Sequence, residues 1–313
     1  MKFTFTIILF LFYSALVSGQ RKSIQERLGY PKDAKLLIIH ADDVGVSHSE
    51  NAATISALEK GCVSSASIMV PCPWFPEIAA YAKLHPEMDF GLHMTLTSEW
   101  TYYKWGPVTP AQKVPGLVNK NGFLYSSVDS VIQNASPAEV EEEMRNQVKR
   151  AIQFGIDPTH LDVHMYTAHQ NLGFLKSYLK VGHEFNIPVY ITRQVGSSLH
   201  VNLDTIVSSR DIIIDTLLTA DVEDFKAGMT DFYTKGFKNL TSGITYLILH
   251  TAYDDDEMRA VTIGHEGWGA AWRQQDYNFF SSPLCAKLLK ENNIYVVTWR
   301  EIRDKITRGH EHY

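Results

Sequence analysis

Four short apolar runs in this chain each deliver an ionisable side chain to their carboxyl end. Leu36-Leu37-Ile38-Ile39 runs into His40-Ala41-Asp42-Asp43, and Phe90-Gly91-Leu92 into His93. Leu161-Asp162-Val163 runs into His164, and Tyr246-Leu247-Ile248-Leu249 into His250. Charge at the end of a buried strand is costly unless it has partners. One Asp with two His makes a donor set for a divalent metal that leaves positions open for water and substrate. Asp43, His93 and His164 supply that set. Asp42, one residue earlier and free of the metal, is placed to act as a base towards acidified water. His250, from a fourth strand end, is the candidate to protonate a leaving group. These parts suit hydrolysis of an amide or ester, and they suit a phosphoester equally. The chain holds no Gly-x-Ser-x-Gly elbow and no His-Glu-x-x-His pair, which disfavours serine catalysis and the common metalloprotease design.

Side chains from four separate strands meet only if the strand ends lie on one face, as they do in a barrel of parallel strands. The first run is short, aliphatic and unbroken, the pattern of a strand covered on both faces. Further strands are expected at 187–191 and 294–297. Helices are expected at 50–60, 76–83, 137–154, 174–185, 221–237 and 283–292. The helix at 137–154 carries the clearest signals, with Ser136 and Glu139 forming a capping box and Gly155 as its stop. Strand and helix alternate, so the fold class is α/β and the architecture a single-domain (β/α) barrel. Within the third run, His160, Asp162 and His164 alternate and share the inward face, while Leu161 and Val163 face the helices. The inward column either orients a metal-binding histidine through Asp162 or forms a structural hydrogen-bond network. Two connections, 97–136 and 252–280, are long enough to be functional loops. Both follow a strand-end histidine. Trp100, Tyr103 and Trp105 on the first are either a platform for sugar rings or a packed lid; the second carries Trp268 and Trp272.

The chain has 313 residues and a formal charge of −6. No basic patch of the kind nucleic-acid binding requires is present. Three cysteines, Cys62, Cys72 and Cys285, form neither a disulfide framework nor a metal knot and read as packing residues. Lys2, the apolar stretch 3–17 and the small residues Val17-Ser18-Gly19 read as a secretory leader over 1–19, cleaved before Gln20. Its apolar core of about 15 residues falls short of the roughly 20 that span a membrane. The mature domain, 20–313, is therefore expected outside the cytoplasm, periplasmic or extracellular, with no stable membrane insertion.

The strings His-Ala-Asp-Asp-Val-Gly-Val-Ser (40–47) with Asn51, Gly-Leu-His-Met-Thr-Leu-Thr (91–97), His-Leu-Asp-Val-His (160–164) and Leu-His (249–250) resemble the YdjC-like (ChbG/HpnK) carbohydrate deacetylases. The resemblance covers roughly 33–305, including the closing segment from Trp272-Arg273 onward. It implies a (β/α) barrel-like fold, a divalent ion taken as magnesium, and removal of acetyl groups from N-acetylated sugars or oligosaccharides. Carried over by motif, Asp42 is the base, Asp43, His93 and His164 hold the metal, and His250 is acid or oxyanion stabiliser. Imidazole donors by themselves favour zinc or another transition metal. The chain departs from the family where Val163 replaces a Ser, where Met165 and Thr167 replace histidines, and where Thr251-Ala252 replaces Pro-Gly; His169 is the imidazole that could stand in. Two other readings are a metal-dependent hydrolase of another amide or phosphoester, and a non-catalytic carbohydrate-binding barrel.

Overall fold

The first apolar run is the middle of β1 (Lys35–Val44), the strand about which the sheet is ordered. A computed structural model describes residues 22–265 and 267–309; the expected leader over 1–19 lies outside the described residues. The other strands are β2 (Ser65–Ile68), β3 (Phe90–Met94), β4 (Leu161–Val163), β5 (Thr216–Leu218), β6 (Gly243–Leu249) and β7 (Ile294–Val296). Their order is β4-β3-β2-β1-β6-β5, with every pairing parallel. β7 pairs with the first residues of β1, Lys35 to Leu37, and β2 pairs further along, from His40.

The sheet curls until its ends nearly meet. Val189 bridges Leu161 of β4, and Thr192 bridges Ile214, two residues before β5, both in parallel sense. The Leu161 and Tyr190 amides and the Ile214 amide donate across this seam at 2.8–2.9 Å. The segment expected as a strand at 187–191 is therefore a stave held by single bridges, not by a regular ladder.

Alternation along the strands divides the apolar residues into two cores. Leu37, Ile39, Ala41, Leu247 and Leu249 pack outward against the helices, in the larger core. Leu36, Ile38, Ile244, Tyr246 and Ile248 point into the barrel, where Leu28, Trp299, Ile302 and Ile306 from the two ends of the described chain close its floor. The inward face changes from aliphatic to polar on passing from Ile38 to His40, so the barrel is oily below and ionisable above. Helix Pro137–Gln153 begins with the Ser136/Glu139 capping box expected for it and buries Val140, Met144, Val148 and Ala151.

Three element assignments are corrected. The connection 252–280 contains two helices, Asp256–Val261 and Ala270–Phe280. Its helical face was hidden because the second helix buries Arg273 and Asp276 beside Trp272 and Phe279, which leaves no clean apolar stripe. The helix expected over 221–237 is two, Val222–Ala227 and Met229–Asn239, broken at Gly228, whose φ of 117° is a left-handed value. The connection 97–136 holds helix Val128–Asn134 and two 3₁₀ turns. Among the described residues the three cysteines are free thiols, and no helix is long and apolar enough to cross a membrane.

Candidate metal centre

Strict alternation would send Asp42 into the barrel and Asp43 outward to the helices. The register of β1 against β2 shifts between Ala41 and Val44, and Asp43 takes a left-handed φ of 67°. This bulge swings the second carboxylate back, so both reach one cavity. Left-handed backbone costs a non-glycine residue about 1–3 kcal/mol, although Asp tolerates it better than most. Gly45, at φ 101°, completes the turn, and its amide donates to Asn51 Oδ1 at 2.7 Å.

Asp43 Oδ1 lies 3.4 Å from His93 Nε2 and 3.3 Å from His164 Nδ1. The three side chains are buried, and their donor atoms converge closely enough to hold one metal ion. Asp43 Oδ1 accepts no hydrogen bond although it is buried. An orphaned carboxylate oxygen facing two ring nitrogens fits a cation better than it fits a hydrogen-bonded core. The far side of each imidazole is held as metal-binding histidines are held. His93 Nδ1 is 2.7 Å from Asp162 Oδ1, and His164 Nε2 is 3.0 Å from Glu99 Oε2. These contacts hold a proton on the outer nitrogen and turn the inner one towards Asp43 Oδ1, where a metal would displace its proton.

Asp162 serves both readings of the inward column: one oxygen braces His93 and the other joins a buried hydrogen-bond network. It also lies 2.9 Å from His40 Nε2 and accepts from the Tyr246 hydroxyl at 3.1 Å. His160, below, stacks on Trp299 with ring centres 5.0 Å apart. There is no room for a side chain above it, since a Cβ on Gly91 would sit 2.3 Å from the His160 ring. Leu161 and Val163 face the helices, as expected.

Burial opposes charge throughout, and the neighbours decide the outcome. Burial alone would raise the Asp43 carboxyl, but Arg273, His164 and His250 hold it well below the usual range. Burial disfavours the His164 imidazolium, yet Glu99 and Asp43 outweigh it and raise the pKa to about 10. His40 is raised to about 9 because Asp162 and Asp42 overcome its burial. Without a cation the centre therefore keeps protons on its imidazoles, and a metal would displace them. His250 behaves oppositely. Burial first, then Arg273 and His93, lower it to about 4 against the pull of Asp43, so it is neutral at neutral pH.

Asp42 stands beside the donor set, with Oδ1 3.2 Å from His40 Nε2 and Oδ2 3.9 Å from His93 Nε2. His250 Nε2 is 3.8 Å from Asp43 Oδ2, and its amide donates to Asp276. Two further charged residues belong to the site and were not anticipated. Glu99 braces His164. Arg273 donates to Asp43 Oδ2 at 2.8 Å, to Glu50 and, through Nε, to the Trp268 carbonyl at 2.7 Å. Burial, reinforced by Asp43, raises Glu50 well above the usual range despite Arg273. The available signal for Arg273 was its place in the closing motif; for Glu99 it was a lone acid in an aromatic loop just after His93.

These groups open on a cavity of about 770 Å³. Of the three aromatic residues expected as a sugar platform, Trp100 lines it, with Arg273 over its ring and His265 at its edge. Tyr103 and Trp105 do not. Each spends its polar atom on backbone, Tyr103 on the Val46 carbonyl and Trp105 on that of Thr97, and they pin the loop. His169 is no substitute ligand; it is buried among Tyr166, Tyr178 and Tyr190.

A family model described as YdjC-like protein matches residues 36–291. A carbohydrate deacetylase of Geobacillus stearothermophilus is 30% identical, with 84% of this chain and 96% of that protein covered. A carbohydrate deacetylase of Thermoanaerobacter pseudethanolicus is 24% identical, with 85% and 98% covered. A solved structure from Enterococcus faecalis superposes with a TM-score of 0.72 at 21% identity, covering 86% of this chain and 99% of that one. That likeness is one of fold.

Proposed function

We propose, from the premise that this chain belongs to the YdjC-like protein family, that it is a carbohydrate deacetylase. It hydrolyses the N-acetyl groups of amino sugars or their oligomers and depends on a divalent metal. The observation that carries the reading is the orphaned Asp43 Oδ1 between His93 and His164, with a second carboxylate, Asp42, in the same cavity. A cation held by those three residues would supply Lewis acidity, polarising an acetamide carbonyl and making nearby water easier to deprotonate.

The chain's own groups then account for the protons. Asp42 takes one from water as its oxygen bonds to the acetamide carbon. His250, neutral, donates a hydrogen bond to the carbonyl oxygen as negative charge develops there. When the carbon–nitrogen bond breaks, the protonated Asp42 returns its proton to the departing amine, leaving an amino sugar and acetic acid, which gives up its own proton to become acetate. This assigns His250 the stabiliser role over that of acid, since it carries no spare proton at neutral pH. Asp162 and Glu99 keep the imidazoles aimed. The apolar stretch 3–17, read as a secretory leader, supports action outside the cytoplasm, and the family resemblance supports magnesium, with zinc the competitor that imidazole donors favour.

Acetate release by residues 20–313 from N-acetylated oligosaccharides tests the reading, with magnesium, zinc or chelator added. Release should vanish with chelator and fall roughly 10²–10⁴-fold in Asp42→Asn, the usual worth of a general base. A protein that binds metal at Asp43, His93 and His164 yet releases no acetate with any cation would sink it.

A further inference from the structure

Trp268 is an indole stacked on a second indole and partly open at the cavity. It stacks on Trp272 with ring centres 5.1 Å apart and planes 26° from parallel. Trp272 in turn stacks on Phe225 at 5.1 Å and 19°. Trp272 is buried, whereas Trp268 is 42% exposed and lines the cavity that holds the metal centre. Trp268 is also held in a left-handed conformation, φ 57°, which a bulky side chain rarely adopts. The restraint is the Arg273 Nε hydrogen bond to its carbonyl at 2.7 Å. The same guanidinium donates to Asp43 Oδ2 at 2.8 Å. One side chain therefore ties the Trp268 main chain to the reacting centre, and strain maintained in this way clusters where ligands are held.

We propose that Trp268 is a stacking platform for a second sugar ring, so that the site takes oligosaccharides in preference to single amino sugars. The proposal rests on the carbohydrate reading above. One ring presents its acetamide to Asp42 and the metal donors, and the neighbouring ring lays its C–H face on the exposed indole surface of Trp268. Tyr103 and Trp105, being packed into the loop, contribute nothing to this platform. A rigid aromatic slab binds a flat apolar face at little entropic cost, because its side chain is already ordered.

The test uses binding, in the Asp42→Asn background, of β-1,4-linked N-acetylglucosamine oligomers of one to four units, by calorimetry with magnesium or zinc present. Trp268→Ala should weaken the trimer and tetramer about tenfold more than the monomer, and Trp268→Phe should recover most of the loss. Equal losses at every length, or none, would overturn the platform, as would failure of every oligomer to bind the protein that retains Trp268. Metal affinity is measured in the same series. If Trp268→Ala weakens metal binding as much as oligomer binding, the residue serves to position Arg273 and the proposal fails. Length-dependent binding in a protein whose Asp42 form releases no acetate would sink the deacetylase reading and leave the platform standing.

Discussion

Glu99 shows how a residue outside the donor set can determine what a ligand does. Its carboxylate lies 3.0 Å from His164 Nε2, which holds a proton there and turns Nδ1 towards Asp43. Removing such a support typically costs 10–100-fold in metal affinity. Glu99→Ala is expected to bind metal that much more weakly, while Glu99→Gln, whose amide oxygen still accepts a hydrogen bond, keeps most of the affinity. Calorimetric titration of the two variants decides it; equal affinities for Glu99→Ala and the unaltered protein would remove Glu99 from the centre. The three proposed ligands could be picked out from the chain because each follows an apolar run. Of their braces, Asp162 could be picked out as one reading of the alternating column at 160–164, whereas Glu99 lies in a loop and carries no local mark.

The bulge in β1 and the seam between β4 and β5 are where the elements depart from regularity, and both serve the cavity. The seam has few ladder hydrogen bonds, and a contact close by helps hold it. His183, near the end of helix Leu172–Glu184, bonds Asp211 at 2.9 Å, and Asp211 accepts from the Ser208 amide and hydroxyl. The hydrogen bond to Asp211 raises His183 against its burial; burial would raise Asp211, but His183 and Ser208 lower it. A raised histidine stabilises fully below its ordinary value of 6.5 and stops doing so as pH rises through its higher folded value. The lowered Asp211 contributes above its ordinary 3.8 and loses that contribution as pH falls through its folded value. The advantage of the protein over His183→Asn should therefore be largest between about pH 4 and 6.5 and shrink towards pH 9. Half-exposed pairs are worth under about 1 kcal/mol, so the expected change in melting temperature is a few degrees at most. A difference that does not vary with pH would remove the pair from the account.

The described residues form two cores separated by a curled sheet, and the inner one is closed from below by the two ends of the described chain. Trp299 is fully buried there, stacked under His160. Truncating a buried tryptophan to alanine costs about 3–5 kcal/mol in lost transfer energy and cavity. Urea unfolding of Trp299→Ala should show a loss of that size, with metal affinity of the folded protein nearly retained because the donors sit at the opposite end of the barrel. A loss below about 1 kcal/mol would mean the floor is not closed in this way. The family assignment extends over residues 36–291 and so includes this floor only in part.

The one-dimensional pattern determined the α/β class, the inward face of His160, Asp162 and His164, and the Asp and His residues that converge, because each depends on a period or on a residue at a strand's end. Only the folded chain decided the rest. Asp43 joins Asp42 because of a bulge that no residue type announces. Trp100 and Trp268 face the cavity while Tyr103 and Trp105 do not, because which ring finds a backbone partner depends on contacts across the loop and with the segment after β1. Arg273 reaches Asp43, Glu50 and Trp268 across more than two hundred residues of chain in the first two cases. Such partnerships are set by packing, and packing is not a function of local sequence.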